Sequence, residues 1–180
     1  MRLLAKNLKQ KKHEAGKTLS KSKMMKILKI KLVQCVVYKM AFRIGIPLQL
    51  DQDQKDNALE LFNLSIVEAS ASELIYINKT FGRVYKRLVN NEDRWKQHVV
   101  KIVDYMLSAS KWEGVFTEEN KIVIACAFYI CNPNDAIPDY IPEIGYIDDA
   151  YIVNEALSRI YHVNRAFHRK IINFCERMDN

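Results

Sequence analysis

Five carboxylates, Asp135, Asp139, Glu143, Asp148 and Asp149, fall within the stretch from Asn132 to Asp149. Oxygen-rich sets of this kind hold magnesium, manganese or calcium, because hard cations take carboxylate oxygens in preference to sulfur or nitrogen. Asp135, Asp139, Asp148 and Asp149 are therefore the candidate metal ligands, and an enzyme built on them would be Mg- or Mn-dependent, conceivably hydrolytic. The same residues also have a purely structural reading. Asp is a favoured cap and turn former. Asp148 and Asp149 stand where a helix should start, and Asp135 and Asp139 flank prolines, where their oxygens can accept exposed amides. The residue types favour this second reading, and the stretch has no x-D-x-D-G pattern of a calcium hand.

A second set of charges lies at the other end of the chain. Residues 1–43 hold 13 Lys and Arg against Glu14 alone, a formal +12, which leaves −5 in residues 44–180. Lys9, Lys11, Lys12, Lys17, Lys21, Lys23 and Lys26 are candidate anion-binding residues, suited to phosphate, anionic lipid or a nucleic-acid backbone. Aromatic residues for base stacking are missing until Tyr38 and Phe42, so contact with nucleic acid would be backbone-driven and salt-dependent. A solvated tail, or one drawn to the acidic body, is the simpler expectation.

Histidines 13, 98, 162 and 168 form no H-E-x-x-H. His98 beside Trp95 reads as a core histidine. His162 and His168, six apart, are expected on different sides of one helix. Cysteines 35, 126, 131 and 175 lack C-x-x-C spacing and read as reduced, buried thiols of a cytoplasmic protein. Nucleophile elbow, P-loop and dinucleotide fingerprints are absent, so no catalytic residue and no cofactor is assigned. Lysines interrupt the N-terminus before a signal-peptide core can form. The apolar runs Leu32–Tyr38 and Ile122–Cys131 fall short of the roughly 20 residues needed to cross a bilayer.

The elements that must position these residues are helical. Trp95, Val99, Ile102, Val103, Met106 and Ala109 recur at spacings of three and four, with Lys96, Gln97, Lys101 and Asp104 between them. Asp53 or Asp56 can open an earlier helix with a face of Leu59, Phe62, Ile66 and Ala69, and Ser72 one with Leu74, Ile75, Phe81, Val84 and Leu88. Thr117, followed by Glu118 and Glu119, offers a cap and two negative charges to a helix running to about Cys131. Asp148 and Asp149 are expected to do the same for a last helix carrying Val153, Leu157, Ile160, Phe167 and Ile171. Residues 24–44 alternate like strands yet lack interior Gly or Pro after position 17, and helix is favoured. The expected architecture is all-α: a single-domain irregular bundle of four or five helices over 44–180, with a basic N-terminal arm, 1–43.

Pro133, Pro138 and Pro142 forbid a continuous helix between the last two elements, because each lacks an amide donor and pushes its predecessor toward extended geometry. A fixed corner must join them, in which Gly145 is expected to supply positive φ. The pattern Pro133-x-Asp135-x-Ile137-Pro138-Asp139-x-Ile141-Pro142-x-Ile144-Gly145-x-Ile147-Asp148-Asp149 resembles the signature of the YkvA family, a domain of unknown function. The resemblance covers about residues 121–157. It implies a small helical unit in which an apolar helix enters the corner and a second leaves after the Asp pair, and it brings no accepted reaction or cofactor. Relatives often occur near membrane helices, which implies a membrane-surface context.

The function expected is that of a non-enzymatic interaction module. A protein partner would bind it, at the cytoplasmic face of the inner membrane or in an immunity or phage-related accessory role. The rival readings are a metal-dependent enzyme using the Asp cluster and anion binding by the arm.

Overall fold

The computed structural model describes residues 43–46 and 49–178. Lys9, Lys11, Lys12, Lys17, Lys21, Lys23 and Lys26, and the helix-or-strand question over 24–42, lie outside the described residues. Within them the fold is all-α, as expected, with six helices and no strand: α1 Gln52–Glu68, α2 Ala71–Leu88, α3 Arg94–Ala109, α4 Glu118–Ile130, α5 Ile147–Val163 and α6 Arg165–Met178. No helix among the described residues is long and apolar enough to cross a membrane.

Polar side chains fix where the helices begin. Asp51, upstream of either expected start, caps α1: its carboxylate accepts from the Gln54 amide at 2.8 Å, and the Gln54 side chain accepts from the Asp51 amide at 3.1 Å. This reciprocal box satisfies two otherwise unpaired donors, which is why it prevails over the later aspartates. Ser70 rather than Ser72 caps α2, accepting from the Ser72 amide. Thr117 caps α4 as expected, in a box closed by Asn120.

Helix α4 is the hub. It is apolar all round, with Ile122 to Ala127, Tyr129 and Ile130 buried, and it packs against α1, α2, α3 and α5. Phe62, Ile77, Leu88, Ile102, Met106, Ile152 and Ile160 on the other helices are fully buried, and burying each such side chain contributes about 1.5–3 kcal/mol. Three local expectations change. Ile75 is 55% exposed and Ile77 takes the inward position on α2. Lys96 is buried, its amine held at 2.7 Å by Asp93. The expected last helix is two, because Asn164 leaves helical geometry (φ −146°, ψ 86°) and its side chain accepts from the Phe167 amide at 3.0 Å.

Residues 43–46 run without regular structure against α5. The Asn154 carboxamide grips the backbone of buried Ile44 twice, accepting from its N–H at 2.8 Å and donating to its C=O at 3.1 Å.

Candidate metal centre

The corner between α4 and α5 is held by its own backbone. Asp139 N–H donates to Pro133 C=O, Ile141 to Pro138, Ile144 to Pro142, Gly145 to Ile141 and Ile147 to Ile144. The isoleucines repeat for a packing reason: Ile137 and Ile147 are buried with Leu50, and Ile141 and Ile144 close over them with Trp95 and Tyr151. Gly145 is required for close approach rather than for positive φ. A Cβ there would stand 2.5 Å from Asp139 O and 2.8 Å from Ile141 O, while the positive φ in the corner belongs to Glu143, at 69°.

With most amides met by carbonyls, the aspartates have little capping to do. Asp148 and Asp149 occupy the first turn of α5, but α5 has no side-chain cap and both residues are 0% exposed. Asp148 Oδ2 accepts from the Tyr129 hydroxyl at 2.8 Å and from the Ile137 amide at 3.0 Å. Asp139 Oδ2 accepts from Arg87 Nη2 at 2.8 Å. The remaining six oxygens, both of Asp135, both of Asp149, Oδ1 of Asp139 and Oδ1 of Asp148, are buried without a protein donor. The expectation that Asp135, Asp139 and Asp149 serve local amides is thus corrected, and only Asp148 does so. Hydrogen bonds had already been made along the chain, so the carboxylates turn inward to one another.

Asp135, Asp148 and Asp149 each place an oxygen within 4.8 Å of the others. Asp139 sits beside this trio but outside it. Glu143 is exposed and takes no part. Pro133, Pro138 and Pro142 contribute carbonyl acceptors and bends rather than ligands.

Burial raises the proton affinity of every member. Desolvation, reinforced by the charges of Asp148 and Asp139, pushes Asp135 up to about 9. Asp149 is carried well above the ordinary carboxylate range by desolvation first and then by Asp135 and Asp148. Asp148 also rises through burial, against the pull of its Tyr129 and Ile137 hydrogen bonds. Asp139 rises only to about 6, because Arg87 offsets much of its desolvation. Buried charges of one sign must be protonated or neutralised by a cation. As carboxylates, the trio offers oxygen ligands of the kind that magnesium, manganese and calcium take.

Two partners escaped sequence reasoning. Tyr129 had a signal: within the run Ile122–Ile130 it alone carries a strong polar tip apart from the thiol of Cys126, and a buried phenol needs a partner. Arg87 had none, since it reaches Asp139 from 52 residues away. No cysteine or histidine among the described residues joins the grouped ligand oxygens. Cys126, Cys131 and Cys175 are buried and form no disulfide, and burial pushes Cys131 up to about 11 and Cys126 higher still. His162 and His168, expected on one helix, fall on α5 and α6, and each meets the Tyr161 ring edge-on, at 5.3 and 5.2 Å between centroids. His98 is half-buried on α3.

The fold and the site thus define an all-α domain with a proline-bent corner enclosing a carboxylate cluster. Residues 121–154, which cover most of α4, the corner and the first half of α5, match the family described as a protein of unknown function, DUF1232, to which YkvA-like domains belong. No curated protein and no solved structure matches the chain.

Proposed function

We propose that the corner is a divalent-cation centre, with Asp135, Asp148 and Asp149 as ligands and magnesium or manganese as the ion. The observation that carries this reading is Asp149: fully buried, with both oxygens lacking a donor, and grouped with the oxygens of Asp135 and Asp148. An isolated buried carboxylate costs several kcal/mol, on the order of the whole stability of a domain, unless it is paired, protonated or bound to metal.

The centre supports a scaffold better than a reaction. A catalytic ion keeps an open position for substrate or water. Here Asp148 and Asp149 have no exposed surface, while Arg87 and the buried ring of Tyr146 lie beside Asp139, 5.2 Å apart. In this reading the cation ties α4, through Tyr129 and Asp148, to the start of α5 and stiffens the bend between them. The bend turns Tyr140 outward, 77% exposed, and exposed aromatic residues are favoured anchors for protein partners. The module is thus a cation-set platform for a partner.

Calorimetric titration with Mg²⁺, Mn²⁺ and Ca²⁺, together with melting curves, tests the centre. The expected result is saturable binding and a rise in melting temperature, both lost in Asp149→Asn. Neither heat nor a melting shift with any of the three ions would remove the centre and leave the cluster as shared protons.

A further inference from the structure

Arg87 stands at the end of α2 with its guanidinium on the fourth aspartate. We infer that it is a tethered cation that reserves Asp139, so that the corner takes one divalent ion where its four carboxylates would otherwise take two. This inference rests on the reading of the trio as a cation centre.

The geometry separates Asp139 from the first position. Its oxygens are not part of the set lying within 4.8 Å of one another. Its charge nevertheless bears on Asp135 and Asp149, and the charge of Asp148 bears on it, which places it next to them. Two-ion centres use such adjacency, with the ions about 3.5–4 Å apart and stabilised by shared carboxylates. Asp135 has the oxygens for sharing, since neither has a donor.

Asp139 is itself equipped as a ligand. Its side chain is 3% exposed and its Oδ1 has no donor, while Oδ2 is held by Arg87 at 2.8 Å. Arg87 is 51% exposed, so its head group can be removed without opening the core. Without it, Asp139 becomes a buried carboxylate beside three others, which must gain a proton or a cation. An arginine suits a permanent plug because it stays charged at any working pH and its planar fork fits a carboxylate.

Manganese titration of the full chain near neutral pH, read by calorimetry and by electron paramagnetic resonance, tests the assignment. The wild type is expected to bind one Mn²⁺ with the spectrum of an isolated ion. Arg87→Gln is expected to bind two, with the spectrum of a spin-coupled pair. Asp139→Asn and the double variant Arg87→Gln/Asp139→Asn are expected to bind one. Arg83→Gln, one turn earlier on the same face of α2, is the control and should also bind one. Two ions in the wild type, or a single ion of unchanged affinity in Arg87→Gln, overturn the tethered-cation assignment while the centre itself stands. Loss of the ion in Asp139→Asn overturns it as well, by making Asp139 a ligand of the first position. No ion in the wild type sinks both. If Arg87→Gln is unfolded without metal, refolding with two Mn²⁺ per chain supports the inference, and refolding with one, or none, defeats it.

Discussion

Helices α4 and α5 open on the same two-letter theme and put it to opposite uses. At α4, Glu118 and Glu119 follow Thr117, whose hydroxyl caps the helix, and Glu118 is 68% exposed at its side chain. Although partial burial opposes it, Glu119 is held below the ordinary carboxylate range by the Asn164 carboxamide, which donates to it at 2.9 Å. At α5, Asp148 and Asp149 occupy the first turn without any cap, fully buried, and their proton affinities rise. An acidic pair at a helix start therefore reads as dipole compensation only while water reaches it. Out of water, the favourable helix end is too small to hold two charges, and a counter-charge must come from elsewhere.

The contrast can be broken at either end. Asp149→Asn has the largest expected effect. A cation at a hundred times its Kd stabilises the wild type by about 2.7 kcal/mol, roughly 5–10 °C in a chain of this length. That shift should vanish in Asp149→Asn and persist in Glu119→Gln, as read by thermal melts with and without Mn²⁺.

The pH dependence separates the two ends next. Folding raises Asp139 from 3.8 to about 6 and Asp135 from 3.8 to about 9, so the folded chain holds protons that the unfolded chain has released. Stability in chelator should therefore fall as pH rises from about 4 toward 9. Excess Mn²⁺ should blunt or reverse the slope, because the ion binds the deprotonated carboxylates. Denaturant titrations across that range measure it, and a flat profile in chelator would contradict buried, proton-holding acids.

Gly145→Ala is smaller. Its Cβ would press on the Asp139 and Ile141 carbonyls, and overpacking of this kind costs about 1–3 kcal/mol. It should also weaken Mn²⁺ binding, since Asp135, Asp148 and Asp149 depend on the same bend. Thr117→Ala, which removes the exposed cap of α4, should cost about 0.5–2 kcal/mol and leave the ion's affinity unchanged. A Thr117→Ala chain with weakened Mn²⁺ binding would show that the two helix starts are not independent.

Local pattern carried much of this fold. The period of Trp95 to Ala109 and the Thr117 cap both reappear, because each depends on neighbours three or four residues away. The split at Asn164 did not show in the apolar stripe, since Leu157 and Ile160 before the break and Phe167 and Ile171 after it all stay inward. At the corner the sequence identified the four aspartates and the three prolines but not their orientation. That choice depended on which oxygen first met the backbone amides. Carbonyls of Pro133, Pro138 and Pro142 met them, a matter of three-dimensional turn geometry that residue types leave open. Arg87 was illegible for a related reason, as its partner is brought to it only by the packing of α2 on α4.

Tyr129 has a practical consequence. Its phenol is buried, bonded to Asp148, and mounted on the helix that four others touch. It is thus an intrinsic optical reporter at the rim of the cluster. A change in near-ultraviolet circular dichroism on adding Mn²⁺, absent in Tyr129→Phe while far-ultraviolet signals stay constant, would let the state of the corner be read in solution without a label.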